Sequence, residues 1–306
     1  MDRTVAPGAA DSGSTPLRNM RENMYKIIDG NSISKKILEE LKNKANILNV
    51  TGKNRVMTDI LVGDDEASKI YIENKKKKFH DIGLKFNLVN FPNNIEESEL
   101  ISIINKYNED IDTNAIFVEL PLPKHINESN IIDKINPNKD VDGFSSNNLG
   151  ALFQGTKGFY PCTAEGIIEL IKRSNIEISG KHCVVVGRSN IVGKPVALLM
   201  LKENATVTIC HSKTEDLRSI CKTADILIAA LGKPKFIDDS YVKPGAVVID
   251  AGMHRVLVNN QKVVCGDVDF DKVAPLTSFI TPVPGGVGPM TVTMLIKHCI
   301  DTADNE

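Results

Sequence analysis

From Arg55 to about Pro123 the chain alternates between two hydrophobic periods. RVMTDILV, FNLVNF and AIFVEL are short apolar runs of strand length, while Ala67 to Asp81 and a stretch near Glu96 to Tyr107 carry helical spacing. Strand, helix, strand, helix, strand is the order of an α/β unit. A second series follows in HCVVVG, ATVTIC, DILIAA and AVVID, with helices predicted at Lys194 to Lys202 and Thr214 to Thr223. Strand starts recur at about twenty residues, the length of a βα unit with short loops. Because these strands are apolar at nearly every position, they predict burial on both faces, as in a doubly wound parallel sheet.

A chain of 306 residues exceeds a typical core of roughly 100–200 residues, which predicts two domains. Its 42% hydrophobic and 25% charged residues match globular usage and exclude a disordered, collagen-like or coiled-coil body. With 37 basic and 39 acidic residues, the net charge of -2 favours neither nucleic acid nor an anionic membrane as partner, so a small molecule is expected. No apolar run approaches the roughly 18–20 residues of a membrane span. The six cysteines never form a Cys-x-x-Cys pair, which argues against zinc or thioredoxin-type chemistry and for a reducing compartment; no metal is expected. Residues 1–23 lack periodicity and read as a disordered tail or an added expression leader; three arginines there leave an organellar transit segment open, against Asp2, Asp11 and Glu22.

In VVVGRSNIVGKPVALLM, Gly187 ends a strand and Gly193 opens a helix, where N–H groups and the helix dipole attract a phosphate. Ser189 replaces the middle glycine of the G-x-G-x-x-G pattern, so a structural turn is a comparable reading. The next strand ends in Cys210-His211-Ser212-Lys213, with no acid before Glu215 to take a ribose hydroxyl. With Arg188 nearby, this favours NADP over NAD, although Arg188 and Lys213 also read as solvated loop charges.

Tyr71 and Lys75 stand four apart and share a helix face, where a phenol and an amine can hold a polar substrate and move a proton. Lys75 to Lys78 also read as a solvated helix surface. PNKDVDGF sets Asp140 and Asp142 before a glycine, as a turn or as a carboxylate facing a ligand. TPVPGGVGPMTVTML makes a stiff loop whose backbone can approach a ligand closely.

Together these segments resemble the bifunctional methylenetetrahydrofolate dehydrogenase/cyclohydrolase family. The matching motifs are Ser68-x-x-Tyr71-x-x-x-Lys75, VELPLPKHI, KDVDGF, PCTAEG, VVVGRSNIVGKP, ATVTICHSKT, KPGAVVIDAG, CGDVDF and TPVPGGVGPMTVTML, spanning about Met24 to Ala303. The resemblance implies an α/β folate-facing domain of residues 24–145, joined by a returning C-terminal helix in 286–306. Residues 146–285 would form a Rossmann-like, parallel-sheet NADP-binding domain across a cleft.

It further implies Tyr71, Lys75, Glu119 and Asp142 as catalytic residues, with Ser68, Val118 and Leu120 beside the folate. Pro284, Gly285, Gly286, Val287 and Gly288 would close the folate site. NADP would take Thr163, Gly187, Arg188, Ser189 and Ile191, and also Ser212, Met253 and Thr291. The implied enzyme oxidises 5,10-methylenetetrahydrofolate and hydrolyses the methenyl product to 10-formyltetrahydrofolate, as a cytoplasmic or organellar homodimer. Two departures stand out: Glu119 replaces the glutamine of V-Q-L-P-L-P, and Asp250-Ala-Gly-Met253-His254 replaces D-x-G-I-N. A carboxylate at 119 favours the ammonium form of Lys75, which predicts weaker cyclohydrolase activity. Another NADP-dependent reductase would not need Tyr71, Lys75, Asp142 and the glycine-rich loop together, and a catalytically silent nucleotide sensor would not need Lys75.

Overall fold

The computed structural model describes residues 25–64, 66–258 and 261–305, so the reading of the tail at 1–23 falls outside the described residues. In chain order the first elements are β1 (Lys26–Ile27), α1 (Gly30–Val50), β2 (Val56–Val62), α2 (Glu66–Ile82), β3 (Lys85–Phe91), α3 (Glu97–Glu109), β4 (Ala115–Val118), α4 (Glu128–Ile132) and α5 (Ser146–Gln154). There follow α6 (Cys162–Arg173), β5 (His182–Val186), α7 (Gly193–Lys202), β6 (Thr206–Cys210), α8 (Leu217–Cys221), β7 (Ile226–Ala229) and β8 (Val247–Asp250). A hairpin of β9 (His254–Val258) and β10 (Gln261–Cys265), then α9 (Phe270–Val273), β11 (Phe279–Ile280) and α10 (Gly288–Asp301), complete the chain.

Two parallel sheets carry the fold. The first has the order β3-β2-β4 and the second the order β1-β11-β8-β7-β5-β6. In the first, alternation along β2 sends Met57 toward a core shared with Ile37, Leu41 and Phe79, and sends Ile60 and Val62 toward Leu100 and Ile104 of α3. In the second, Cys183 and Val185 of β5 enter one core while Val184 and Val186 enter another, which is the two-faced burial that their apolar run predicts.

The two sheets are joined by helices rather than by a strand. α10 packs against both α1 and α6, with Ser34 and Thr293 hydroxyls 2.7 Å apart, and Gly166 leaves no room for a Cβ beside Met290. Residues from both sheets, such as Met57 and Ile228, therefore belong to one hydrophobic cluster. One boundary differs from expectation: Lys26–Ile27 pairs with Phe279–Ile280 at the edge of the second sheet instead of joining the first unit. Two backbone bonds of 2.8 Å, Lys26 N–H to Ser278 O and Ile28 N–H to Ile280 O, satisfy an edge that would otherwise stay open. α8 is also shorter than the predicted helix, spanning Leu217–Cys221.

Candidate active site

The first site grows out of register. Asp59 of β2 lies opposite Phe117 of β4, and the Glu119 amide donates to Ile60 O at 2.9 Å, so Asp59, Phe117 and Glu119 project from one face of the sheet. α2 crosses that face and lowers Lys75 onto it. Its ammonium lies 3.6 Å from the Phe117 ring centroid and donates to Asp59 Oδ2 at 2.9 Å and to Glu119 Oε1 at 2.8 Å. The Lys75 and Asp59 side chains are 0% exposed and Glu119 is 10% exposed, so this ion cluster is almost dry. The solvated-surface reading of the lysine run therefore fails at Lys75, the helix position that faces the sheet.

Tyr71 stands one turn earlier on α2, with its ring centroid 5.4 Å from Lys75 Nζ, and remains 41% exposed. Burial of its hydroxyl end, with Glu119 and Asp142 nearby, pushes the phenol up. Burial pushes the Asp59 carboxyl up as well, Lys75 opposing and Glu119 adding to the rise. Asp142 occupies the turn after the isolated bridge between Ile116 and Asp140. Burial, reinforced by Asp140 and opposed by Lys75, raises Asp142 to about 7. Asp140 instead holds the turn, accepting from Gly143 N at 3.0 Å, Ser145 N at 2.8 Å and Asn148 Nδ2 at 2.9 Å. Val118 is buried and Leu120 half-buried beside Glu119, whereas the Ser68 side chain lies outside the described part.

The second site lies at the C-terminal ends of β5, β6 and β7. A cavity of ≈ 250 Å³ is lined by Gly187, Arg188, Ser189 and Ser212, and its far wall is Leu231, Lys233 and Phe236. Gly187 has φ 143°, and a Cβ there would collide with Ala230 O, so the strand end requires glycine. Ser189 Oγ accepts from Val192 N and Gly193 N, both at 3.2 Å. Two of the helix N-terminal donors expected to meet a phosphate are thus capped by the side chain that replaces the middle glycine. Arg188 and Ser212 stay exposed at the rim, and among the described residues no carboxylate lines the cavity. This donor set suits a 2′-phosphate and fits NADP.

Behind the far wall, Asp267 accepts from the backbone of Leu231, Gly232 and Lys233 at 2.7, 3.1 and 2.9 Å, and His254 Nε2 lies 2.7 Å from its Oδ1. Asp250 in turn accepts from Gly252, Asp267 and Val268 N–H groups. Met253 and Ile191 project at the surface, 70% and 49% exposed. Thr163 of α6 and Thr291 of α10 share a 3.1 Å hydrogen bond. Of the glycine-rich loop, Gly286 and Val287 are buried and Pro284 and Gly288 exposed. The loop packs on the start of α1, where Asn31 N donates to Gly285 O at 3.2 Å and Gly30 has no space for a Cβ against Gly286 O.

A family model described as tetrahydrofolate dehydrogenase/cyclohydrolase, catalytic domain, matches residues 28–142, and one described as the NAD(P)-binding domain of the same family matches residues 161–306. The bifunctional protein FolD of Agathobacter rectalis is 55% identical over 278 residues, 91% of this chain and 99% of that protein. The chain belongs to the tetrahydrofolate dehydrogenase/cyclohydrolase family.

Solved relatives agree in fold. The bifunctional FolD methylenetetrahydrofolate dehydrogenase/cyclohydrolase of Campylobacter jejuni superposes with a TM-score of 0.89 at 42% identity, covering 92% of this chain and 99% of its own. The Trypanosoma brucei enzyme, solved with NADP cofactor and an inhibitor, gives 0.88 at 35% identity, covering 93% and 99%.

Sequence reasoning singled out Lys75, Tyr71, Glu119 and Asp142 but not Asp59, which the structure places against Lys75. The signal was one acid inside RVMTDILV, a strand otherwise read as buried and apolar. It also missed the pairing of Asp267 with His254, because their meeting depends on the close pass of Gly252 against Asp267 and of Gly266 against Asp250.

Proposed function

We propose that this protein oxidises 5,10-methylenetetrahydrofolate with NADP as hydride acceptor and hydrolyses the methenyl product to 10-formyltetrahydrofolate. The observation that carries this reading is the buried Lys75, held between two carboxyls over Phe117 in a chain of this family. Tyr71 offers a ring face at the cleft, and Asp142 offers a carboxyl whose raised proton affinity lets it meet a pterin nitrogen in either protonation state. In this reading Ser68, Val118, Leu120 and the 284–288 loop bound the folate. Gly187, Arg188, Ser189, Ile191 and Ser212 hold the cofactor on one side, with Thr163, Thr291 and Met253 on the other. NADP, when bound, supplies the hydride acceptor.

The chain's own work is then positioning for the first step and proton movement for the second. Lys75, fixed at three contacts, is already oriented when substrate and water enter the site. The division into 24–145 plus 286–306 and 146–285 belongs to the same proposal, with Lys26–Ile27 assigned to the second sheet. So do homodimeric assembly, cytoplasmic location and the lack of a nucleic-acid partner. No helix among the described residues is long and apolar enough to cross a membrane.

The test is spectrophotometric. Purified protein given methylenetetrahydrofolate and NADP should form NADPH and consume added methenyltetrahydrofolate. Absence of NADPH formation would sink the reading.

A further inference from the structure

The buried aspartates of this protein fall into two kinds. Asp140, Asp250 and Asp267 each accept at least three hydrogen bonds, mostly from backbone N–H groups. Asp59 is held differently. Its side chain is 0% exposed, its Oδ2 accepts from Lys75, and its Oδ1 meets no donor among the described residues, with the Glu119 carboxyl as a close neighbour. Leu88 and Phe117 flank it in the sheet. An aspartate kept for structure alone is saturated with donors, since an unpartnered charged oxygen in such surroundings is costly. Taking up a proton removes that cost.

We propose that Asp59 is a positioning residue that receives the proton Lys75 gives up as water adds to the methenyl carbon. The inference rests on the activity proposed above. A Lys75 N–H bond breaks along the 2.9 Å hydrogen bond, its proton passing to the Asp59 carboxylate at Oδ2 and leaving a lone pair on Nζ. As the water oxygen bonds to the cationic carbon, one of its O–H bonds breaks and that proton is taken by the freed Nζ lone pair. Charge balances. The methenyl cation and the Asp59 carboxylate are both neutralised, while Lys75 begins and ends as the ammonium and keeps its contact with Glu119. The transfer is favourable because it removes two opposite charges from a dry site.

The titratable groups facing Asp59 come from two elements, Lys75 and Tyr71 from α2 and Glu119 from the end of β4, while Asp142 and Cys162 stand on the other side of Tyr71. Glu119 also touches Lys75, but at 10% exposed its carboxylate keeps some hydration, which the wholly buried Asp59 lacks. Asp59 is therefore the carboxyl that gains most from the proton.

The pH profile of methenyltetrahydrofolate hydrolysis by the full chain tests this in the wild type, Asp59→Asn and Glu119→Gln. Wild-type hydrolysis should rise with pH through an inflection above the ordinary carboxylate range. Asp59→Asn, which keeps the size and one acceptor, should lose that inflection and hydrolyse roughly 10²-fold more slowly, while NADPH formation falls much less. Glu119→Gln should keep the inflection but move it to lower pH, because a like charge has gone. An unchanged inflection in Asp59→Asn, or equal losses in both activities, would overturn the proposal. Infrared difference spectra give a second readout: a protonated-carboxyl stretch should disappear through the same inflection in the wild type and be missing from Asp59→Asn, which separates it from the raised Asp142 and Asp250 carboxyls, and the lack of any such difference overturns the proposal too. A wild type with neither activity would overturn the functional reading itself, whatever the infrared titration shows.

Discussion

Each half of the molecule buries a pair of carboxyls, and the two pairs are held in opposite ways. Asp250 and Asp267, beside the cofactor cavity, are caged by six backbone N–H groups between them. Asp59 and Glu119, in the folate-facing half, meet at one side-chain cation, Lys75. The cage fixes backbone: through Leu231, Gly232 and Lys233 it sets the wall of the cavity. The ion cluster fixes no loop. It stores charge and protons at a place where a cation is made and then attacked by water. Burial pushes both Asp59 and Asp250 upward, but at Asp250, raised to about 6, the opposing pull comes from rigid backbone donors, and at Asp59 it comes from an amine able to exchange its proton.

Removing the amine should have the largest effect. Lys75→Met is expected to lower methenyl hydrolysis by about 10²- to 10⁴-fold, the usual worth of an acid–base group, while retaining part of the hydride transfer that depends on positioning. Equal losses in the two assays would show that Lys75 has no separate role in hydration.

Disturbing the cage should damage stability before chemistry. In Asp250→Asn an amide NH₂ must confront one of the three backbone donors now met by the two carboxylate oxygens, an expected cost of about 1–3 kcal/mol. Chemical denaturation measures it. Below the transition, turnover of the folded variant should stay near wild type at saturating cofactor, and a variant as stable as the wild type would dissolve the contrast between cage and cluster.

A smaller change is expected at the cavity rim. Ser212→Asp places a carboxylate on the exposed loop beside Arg188, where it repels a 2′-phosphate, and should shift the ratio of kcat/KM for NADP over NAD by roughly tenfold toward NAD. Equal efficiency with the two cofactors in the wild type would remove the premise.

Local pattern carried much of this into view, and long-range approach hid the rest. The i, i+4 spacing of Tyr71 and Lys75 and the apolar runs of the β5 to β8 strands are properties of neighbouring residues, and each element formed near its predicted place. α1 was legible but unread: Ile37, Leu41 and Ala45 line its buried face, and Asp29 caps it by accepting from Asn31 N and Ser32 N. Asp59 is a different matter. Nothing local says that its carboxyl meets Lys75, since that depends on parallel register between β2 and β4 and on the tilt of α2. Ser189 likewise read as a missing glycine, and only the turn back onto Val192 and Gly193 shows it acting as a cap.

The smallest expected effect separates the two carboxyls on Lys75. Glu119 shares the ammonium at 2.8 Å, so it resists any moment at which Nζ is short of a proton. It also attracts the methenyl cation, deepening the well from which water must attack. Both effects slow hydration, so Glu119→Gln should raise methenyl hydrolysis several-fold, and the wild type should release methenyltetrahydrofolate during turnover. Truncation is not involved: the amide keeps an acceptor for Lys75 and removes only charge, so packing over Phe117 should persist. The size of the gain is limited, because Asp59 still holds the lysine from the other side. If Glu119 were itself the base, the same variant would hydrolyse more slowly at every pH, and that profile would refute the inhibitory pairing.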